Sequence, residues 1–442
     1  MSSPALAAAA VDPTVAELIA ARPQFTMHAM DGLVLEGVPL QAIADQLGTP
    51  VWVYSAGVMR SRLAELRAAF LGMDVAIHYA VKANDHLAVL RVFAAGGAGA
   101  DVVSEGEFLR ARAAGIGPER VVFSGVGKTE RELRLALGAG IHQINVESSA
   151  ELAMMSGIAS AMGVVAPVAL RINPDVDAGT HAKITTGKAE NKFGIPYHEA
   201  AGLYAHAAGL PGVRAVGIAL HIGSQILSIA PYRAAFARAA ALIQALRGSG
   251  LPVERMDCGG GLGIGYADAP GASPAAFAGA MRAAFGGMGL ALATEPGRWL
   301  VGPAGVLLSS VVLVKGGERF VVLDAAMNDL VRPAMYDAWH GIVPLSAGNA
   351  VGVVGPVDVV GPVCESGDTF ARGRMLPALA AGARVAILDA GAYGAVMSSP
   401  YNARPAAPIA MVDGDRWAVI RARERHEDLW ARETVPEFLG HR

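Results

Sequence analysis

From Ala76 to Arg298 short apolar runs alternate with longer stretches in which Ala, Leu and Arg recur at helical spacing. The runs are AIHYAVK (76–82), GADVVS (99–104), VVFSG (121–125), QINVES (143–148), PVALRIN (167–173), GIALHIG (217–223), RMDCGGG (255–261) and ALATEP (291–296). Strands buried on both faces read as continuous apolar runs, and parallel neighbours need helical crossovers between them. Three joints carry S/T-x-x-E directly after a strand: Ser104 with Glu107, Thr129 with Glu132, and Ser148 with Glu151. This spacing predicts capping boxes that satisfy the orphan N–H groups of a helix start. Eight β–α repeats predict a (β/α)8 barrel over residues 56–304, a TIM barrel. A doubly wound open sheet is the competitor, which periodicity alone does not exclude.

Beyond about residue 305 the texture changes to VLLSSVVLVK, RFVVLDA, AVGVVGPVDVVGPV, ARVAILDA and IAMVDGDRWAVIRARE, with Gly316-Gly317 and Asp413-Gly414 as turn signals. These segments predict an all-β C-terminal domain over 305–442. Two earlier segments, LVLEGVP (33–39) and VWVYS (51–55), also read as strand. Residues 26–55 are therefore expected to contribute strands to that domain, closing the chain's two ends together. Residues 1–25 are Ala-rich and read as a flexible extension.

The chain is 53% hydrophobic and 17% charged with a net charge of −3, which supplies a large core and no basic excess. Nucleic acid and anionic membranes therefore have little to draw them in. The uncharged stretch Trp299–Val314 is broken by Gly and Pro and falls short of the ~20 residues a membrane span requires. The N-terminus lacks the basic region of a signal peptide. Two cysteines cannot build a disulfide framework, and a reducing, cytoplasmic location is expected.

In a (β/α)8 barrel the chemistry sits at the C-terminal ends of the strands. Those ends carry Lys82, Ser104, Lys128, Arg171, Asn173, His221, Ser224, Gly259–Gly261, Glu295 and Arg298, a polar and anion-friendly set. Lys82 is either a snorkelling surface charge or a lysine of depressed pKa in an apolar mouth, able to condense with a carbonyl. Gly259-Gly260-Gly261 is either a tight turn or a place where backbone N–H groups approach an oxyanion. Ser124–Thr129 (SGVGKT) imitates a P-loop, but Val122 stands where the first glycine belongs, which argues against a nucleotide cradle. The histidines show no H-x-x-x-H or H-x-H spacing, so no metal site is expected. Cys258 reads as a core residue. Cys364, in the polar turn Val363–Asp368, is open to a chemical or a structural reading.

Taken in order, YAVKAN (79–84), SEGE (104–107), FSGVGKTERE (123–132), RINPDVDAGTH (171–181), NKFGI (191–195), HIGSQ (221–225), CGGGLGI (258–264), EPGR (295–298), MNDLVRPAMYDAWH (327–340), GPVCESGDTF (361–370), DAGAYG (389–394) and YNARP (401–405) resemble the fold-type III pyridoxal-phosphate-dependent decarboxylases over residues 27–430. The resemblance implies that Lys82 holds pyridoxal 5'-phosphate through its ε-amino group and that His221 stacks on the ring. Glu295 would pair with the ring nitrogen. Ser224, Gly260 and Gly261 would hold the phosphate, with Pro296, Gly297, Arg298 and Tyr393 completing the cofactor site. Arg298, Arg332, Tyr336 and Tyr393 would bind an amino-acid substrate. Cys364 would return a proton and Glu365 pair with the distal ammonium, both reaching in from the other subunit of a homodimer. An acid at position 295 keeps the ring nitrogen protonated, which suits decarboxylation, where a racemase of this fold is expected to carry a base. Two arginines suit a second carboxylate far from the reacting carbon. That favours meso-diaminopimelate over ornithine or lysine. The alternatives are a decarboxylase of the same fold acting on a basic D-amino acid or a carrier-linked one, and a non-catalytic cofactor carrier. The latter leaves the β domain and the arginine pair without a purpose.

Overall fold

The computed structural model describes residues 12–179, 186–187, 192–267, 270–317, 319–348 and 354–440. Eight parallel strands form the barrel: Val75–Ala80, Gly99–Val102, Val121–Phe123, Gln143–Val146, Ala166–Asn173, Val213–Leu220, Arg255–Asp257 and Ala291–Thr294. The eighth pairs with the first, and the fourth with the fifth, so the sheet is closed. Closure removes the open-sheet alternative and every free strand edge.

Helices follow the first seven strands, but the eighth strand is followed only by the short helix Arg298–Val301. The outer ring is completed instead by Ala56–Ala69, which precedes the first strand and packs against Leu87–Ala95 and Pro274–Phe285. Aliphatic residues of the strands face these helices: Ile77, Val102, Ile144, Leu170 and Ile218 all belong to the main core. The barrel interior is different. His78, Asp101, Gln143, Asn145, Asp257 and Glu295 are all buried there, beside a separate small cluster of Ala169, Val216 and Ala219.

Only one of the three expected capping boxes is reciprocal, that of Thr129 and Glu132. Ser104 and Ser148 do cap their helices, accepting from Glu107 N and Glu151 N. Glu107 instead takes the N–H of Val103, and Glu151 turns inward to a buried ammonium described below.

The second domain is a mixed sheet in the order Thr369–Pro377, Val354–Val360, Phe320–Leu323, Gly305–Lys315, Val51–Ser55, Ile409–Asp413, Arg416–Arg421. Arg384–Ile387 bridges Gly305–Lys315 to Ile342–Pro344. Val51–Ser55 lies at the centre of this sheet, antiparallel to one neighbour and parallel to the other. The earlier segment behaves otherwise: Gly32–Leu35 pairs with Phe25–His28 on one side and Val38–Pro39 on the other, in a sheet of their own. Its apolar face, Leu33, Leu35 and Val38, packs against Val53, Val306 and Leu388 of the large sheet.

Residues 1–11 lie outside the described residues, as do Thr180, His181 and Asn191 of two motifs. The rest of the expected flexible extension is ordered. Thr14 and Glu17 form a capping box for the helix Val15–Ala20, Leu18 is buried, and Arg22 pairs with Asp389 in the interior. Among the described residues no helix is long and apolar enough to cross a membrane.

Candidate active site

Lys82 sits in the 3-10 turn Val81–Ala83 that ends the first strand, and its Nζ lies 2.7 Å from Asp101 Oδ2 on the second. Burial works against the ammonium, but Asp101, Glu295 and Tyr393 outweigh it and hold the Lys82 pKa above its ordinary value. The expectation of a depressed pKa is therefore wrong for the chain alone, because the mouth around Lys82 is acidic and not apolar.

Glu295 is buried at the end of the eighth strand, where Oε1 accepts from Ser124 Oγ at 3.4 Å and Asn145 Nδ2 at 3.3 Å. Burial, with Asp101 and Asp257 close by, pushes its carboxyl well above the usual range. His221 ends the sixth strand, and its Nδ1 accepts from Gly260 N at 3.4 Å. Burial, with Arg171 and Lys82 nearby, holds its pKa far below 6.5, so it presents a flat neutral ring.

The glycines after the seventh strand are required by close approach. A Cβ on Gly259 would lie 2.0 Å from Leu220 O, and one on Gly260 would lie 2.0 Å from Glu295 O. Pro296 O accepts from Ala80 N at 3.1 Å, and Gly297 packs against Ala80 and Ala83, so this motif ties the eighth strand to the Lys82 turn. Tyr393 is anchored there too, its N–H donating to Ala83 O at 2.8 Å.

Arg298 Nη1 donates to Tyr266 Oη at 2.8 Å and Nη2 to Ser224 Oγ at 3.1 Å, while its guanidinium lies 4.8 Å from the Tyr393 ring centroid. Arg332 opens the helix Arg332–Tyr336, with Nη1 2.7 Å from His340 Nε2 and the guanidinium 4.9 Å from the Tyr266 ring centroid. Both arginines are buried, and among the described residues Nε of each has no partner. Asp389, the acid that feels the charge of Arg332, is already bound by Arg22.

The structure thus gathers Lys82, His221, Ser224, Gly260, Gly261, Glu295, Pro296, Gly297, Arg298, Arg332 and Tyr393 at one end of the barrel. Tyr336 lies close enough for its phenol to support the charge of Arg298. Cys364 is exposed and Glu365 lies beside the hydroxyl of Tyr401; neither hydrogen-bonds to the Lys82 cluster within the chain. Lys128 is no nucleotide ligand: its Nζ is consumed by Gly125 O, Asn145 O and Glu151 Oε1 at 2.6–2.7 Å. Among the described residues no three His, Cys, Asp or Glu side chains converge as a metal site. The site residues missing from the expected set are Asp101, Asn145, Asp257, Tyr266 and His340.

The donor set fits pyridoxal phosphate. An amine stands ready for an aldehyde, an acid for a ring nitrogen, and a neutral ring for stacking. A hydroxyl and a crowded glycine turn suit a phosphate.

Comparison with known proteins agrees with this geometry. Residues 57–302 match the family described as pyridoxal-dependent decarboxylase, pyridoxal binding domain. The diaminopimelate decarboxylase of Zymomonas mobilis is 48% identical over 414 residues, covering 92% of this chain and 98% of that one. That of Pseudomonas aeruginosa is 45% identical, covering 91% and 97%. Among solved structures, diaminopimelate decarboxylase from Helicobacter pylori complexed with L-lysine has a TM-score of 0.86 at 39% identity, covering 89% of this chain and 98% of that one. The corresponding M. jannaschii structure, also with L-lysine, has a TM-score of 0.89 at 34% identity, covering 95% and 99%. The chain belongs to the pyridoxal-phosphate-dependent decarboxylases of fold type III, and within them to the diaminopimelate decarboxylase family.

Proposed function

We propose that the chain removes the carboxylate at the D-centre of meso-2,6-diaminopimelate, giving L-lysine and CO2. The observation that carries this substrate is the pair Arg298 and Arg332. Both guanidiniums are buried, and among the described residues their bonds go only to neutral partners. Buried charge without a counter-ion is costly, so the site is built for an anion that arrives from outside. A carboxylate remote from the reacting carbon meets that need, whereas ornithine and lysine lack one.

Bound pyridoxal phosphate supplies the conjugated ring that accepts the electron pair left when the Cα–carboxylate bond breaks. Lys82 Nζ must lose a proton to act as a nucleophile, and Asp101 Oδ2 is the acceptor in contact with it. Glu295 would pair with the ring nitrogen, His221 would lie against the ring, and Ser224, Gly260, Gly261 and Tyr393 would hold the phosphate. Arg298 and Arg332 bind the carboxylate that stays. The leaving carboxylate is best left unpaired, since tight ground-state binding would oppose its loss.

Cys364 as proton donor and Glu365 as partner of the distal ammonium act from a second subunit of a homodimer. Their exposure and their separation from the Lys82 cluster within one chain support this assignment. The free thiols Cys258 and Cys364 support a cytoplasmic location. The test is purified protein with pyridoxal phosphate and meso-diaminopimelate, following CO2 and lysine. Stoichiometric lysine is expected, and turnover of another amino acid in its place would overturn the substrate. Mixing Lys82→Ala with Cys364→Ala subunits should restore activity in the heterodimer, and no recovery would count against the shared site.

A further inference from the structure

Tyr266 follows the glycine-rich turn, and its hydroxyl lies between the two buried arginines. The oxygen accepts from Arg298 Nη1 at 2.8 Å, and the ring lies under Arg332. A guanidinium has donors only, so neither neighbour can take the phenolic proton. That proton is left available to an acceptor in the space the two cations share.

His340 is fixed in a complementary way. Nδ1 lies 2.8 Å from Leu388 O, a carbonyl that can only accept, so Nδ1 carries the hydrogen. Nε2 is then a lone pair, and Arg332 Nη1 donates to it at 2.7 Å. The imidazole is neutral and edge-on to the Tyr266 ring, with centroids 5.2 Å apart. Both residues are tied from behind: Arg22 Nη2 donates to Tyr266 O at 2.7 Å, and Arg374 Nη1 to His340 O at 2.6 Å.

We propose that the Tyr266 hydroxyl is a third donor to the substrate's retained carboxylate, and that neutral His340 is the positioning residue that holds Arg332 in register beside it. The assignment rests on the proposed substrate and deepens it. Selectivity then comes from a three-donor pocket whose members, among the described residues, have no acid bonded to them. An amino acid lacking the remote carboxylate would leave the two guanidiniums and the phenolic proton unpaired at once.

The test uses the holoenzyme. In Tyr266→Phe, KM for meso-diaminopimelate should rise about 10–100-fold, the range for a hydrogen bond to a charged group, with kcat within about 2-fold and the cofactor absorption unchanged. Calorimetry with L-lysine, which keeps the same carboxylate, should show an equal loss of affinity. Binding of 1,5-diaminopentane, which has no carboxylate, should not change. His340→Leu should raise KM similarly, and His340→Gln, which can still donate to Leu388 O and accept from Arg332, should restore most of the loss. An unchanged lysine affinity in Tyr266→Phe, or an equal loss for the diamine, overturns the role of Tyr266. Equal defects in His340→Leu and His340→Gln overturn that of His340. Failure of the unaltered enzyme to release CO2 from meso-diaminopimelate is a failure of the functional reading instead, and the calorimetric arm distinguishes the two.

Discussion

The barrel mouth handles charge in two ways, and its two sides make the contrast. Beside strands three to five, the buried cations among the described residues each meet an acid. Lys128 is bound to Glu151 and two carbonyls, and Arg171 to Glu147 at 2.8 Å. Glu147 in turn takes the N–H groups of Gly125 and Gly194, so this side is closed on itself and fixes the loops. Beside strands seven and eight, where the second domain arrives, Arg298 and Arg332 have, among the described residues, only a phenol, a hydroxyl and a neutral imidazole. Equal burial therefore serves opposite ends. Charge neutralised within the chain holds the fold, and charge left without a counter-ion awaits a ligand.

Lys82 stands between the two, with one carboxylate partner and no backbone acceptor, and the largest effect is expected there. Lys82→Ala should abolish both turnover and the absorption band of the bound cofactor; normal CO2 release by that variant would remove Lys82 from the chemistry. On the closed side, Lys128→Met leaves Glu151 buried and two carbonyls unpaired. It should cost about 3–5 kcal/mol in denaturant unfolding, with kcat per folded molecule preserved. On the open side, Arg332→Leu should do the reverse. It should raise KM by about 30-fold or more, as removal of one partner of a desolvated charge pair does, while the melting temperature stays level or rises. Loss of stability in Arg332→Leu, or of affinity alone in Lys128→Met, would break the comparison.

The smallest effect is at the far end of the barrel, where His78 and His142 stack with centroids 5.7 Å apart. Burial, Arg255 and His78 lower the His142 pKa to about 4. Between that value and the ordinary 6.5 the unfolded chain binds a proton that the folded chain refuses. Its contribution to stability is complete above pH 6.5 and is lost as pH falls towards 4. His142→Gln should flatten unfolding free energy across that window, and an identical pH slope would show that His142 is not the group responsible.

Much of this was legible in the residues. Runs buried on both faces are continuous, so all eight barrel strands stood out, and functional groups at strand ends follow from the barrel itself. What stayed hidden was polar chemistry inside those runs. Asp101 in GADVVS, Asn145 in QINVES and Asp257 in RMDCGGG lie within the strand runs, although one acid within an apolar run is a signal in its own right. Tyr266 acts through partners remote in sequence, Arg298 and Arg332, and nothing local marks it, whereas His340 closes the MNDLVRPAMYDAWH motif with its partner Arg332 eight residues before it. The strand Thr369–Pro377 escaped because Arg and Gly interrupt its alternation. The Glu151 side chain left its capping box because the buried ammonium of Lys128 competes for it.

Val51–Ser55 sits between strands that begin at Gly305 and Ile409. On the ribosome this segment emerges early and then waits for the whole barrel to be made before either flank is available. The barrel has all its own strands by Thr294 and can form first. A hydrophobic VWVYS stretch is meanwhile left uncovered for the time it takes to translate some 250 residues, tens of seconds at about 5–20 residues per second. Nascent-chain aggregation and chaperone capture should therefore concentrate on this N-terminal stretch, and truncation near the C-terminus should prolong its exposure.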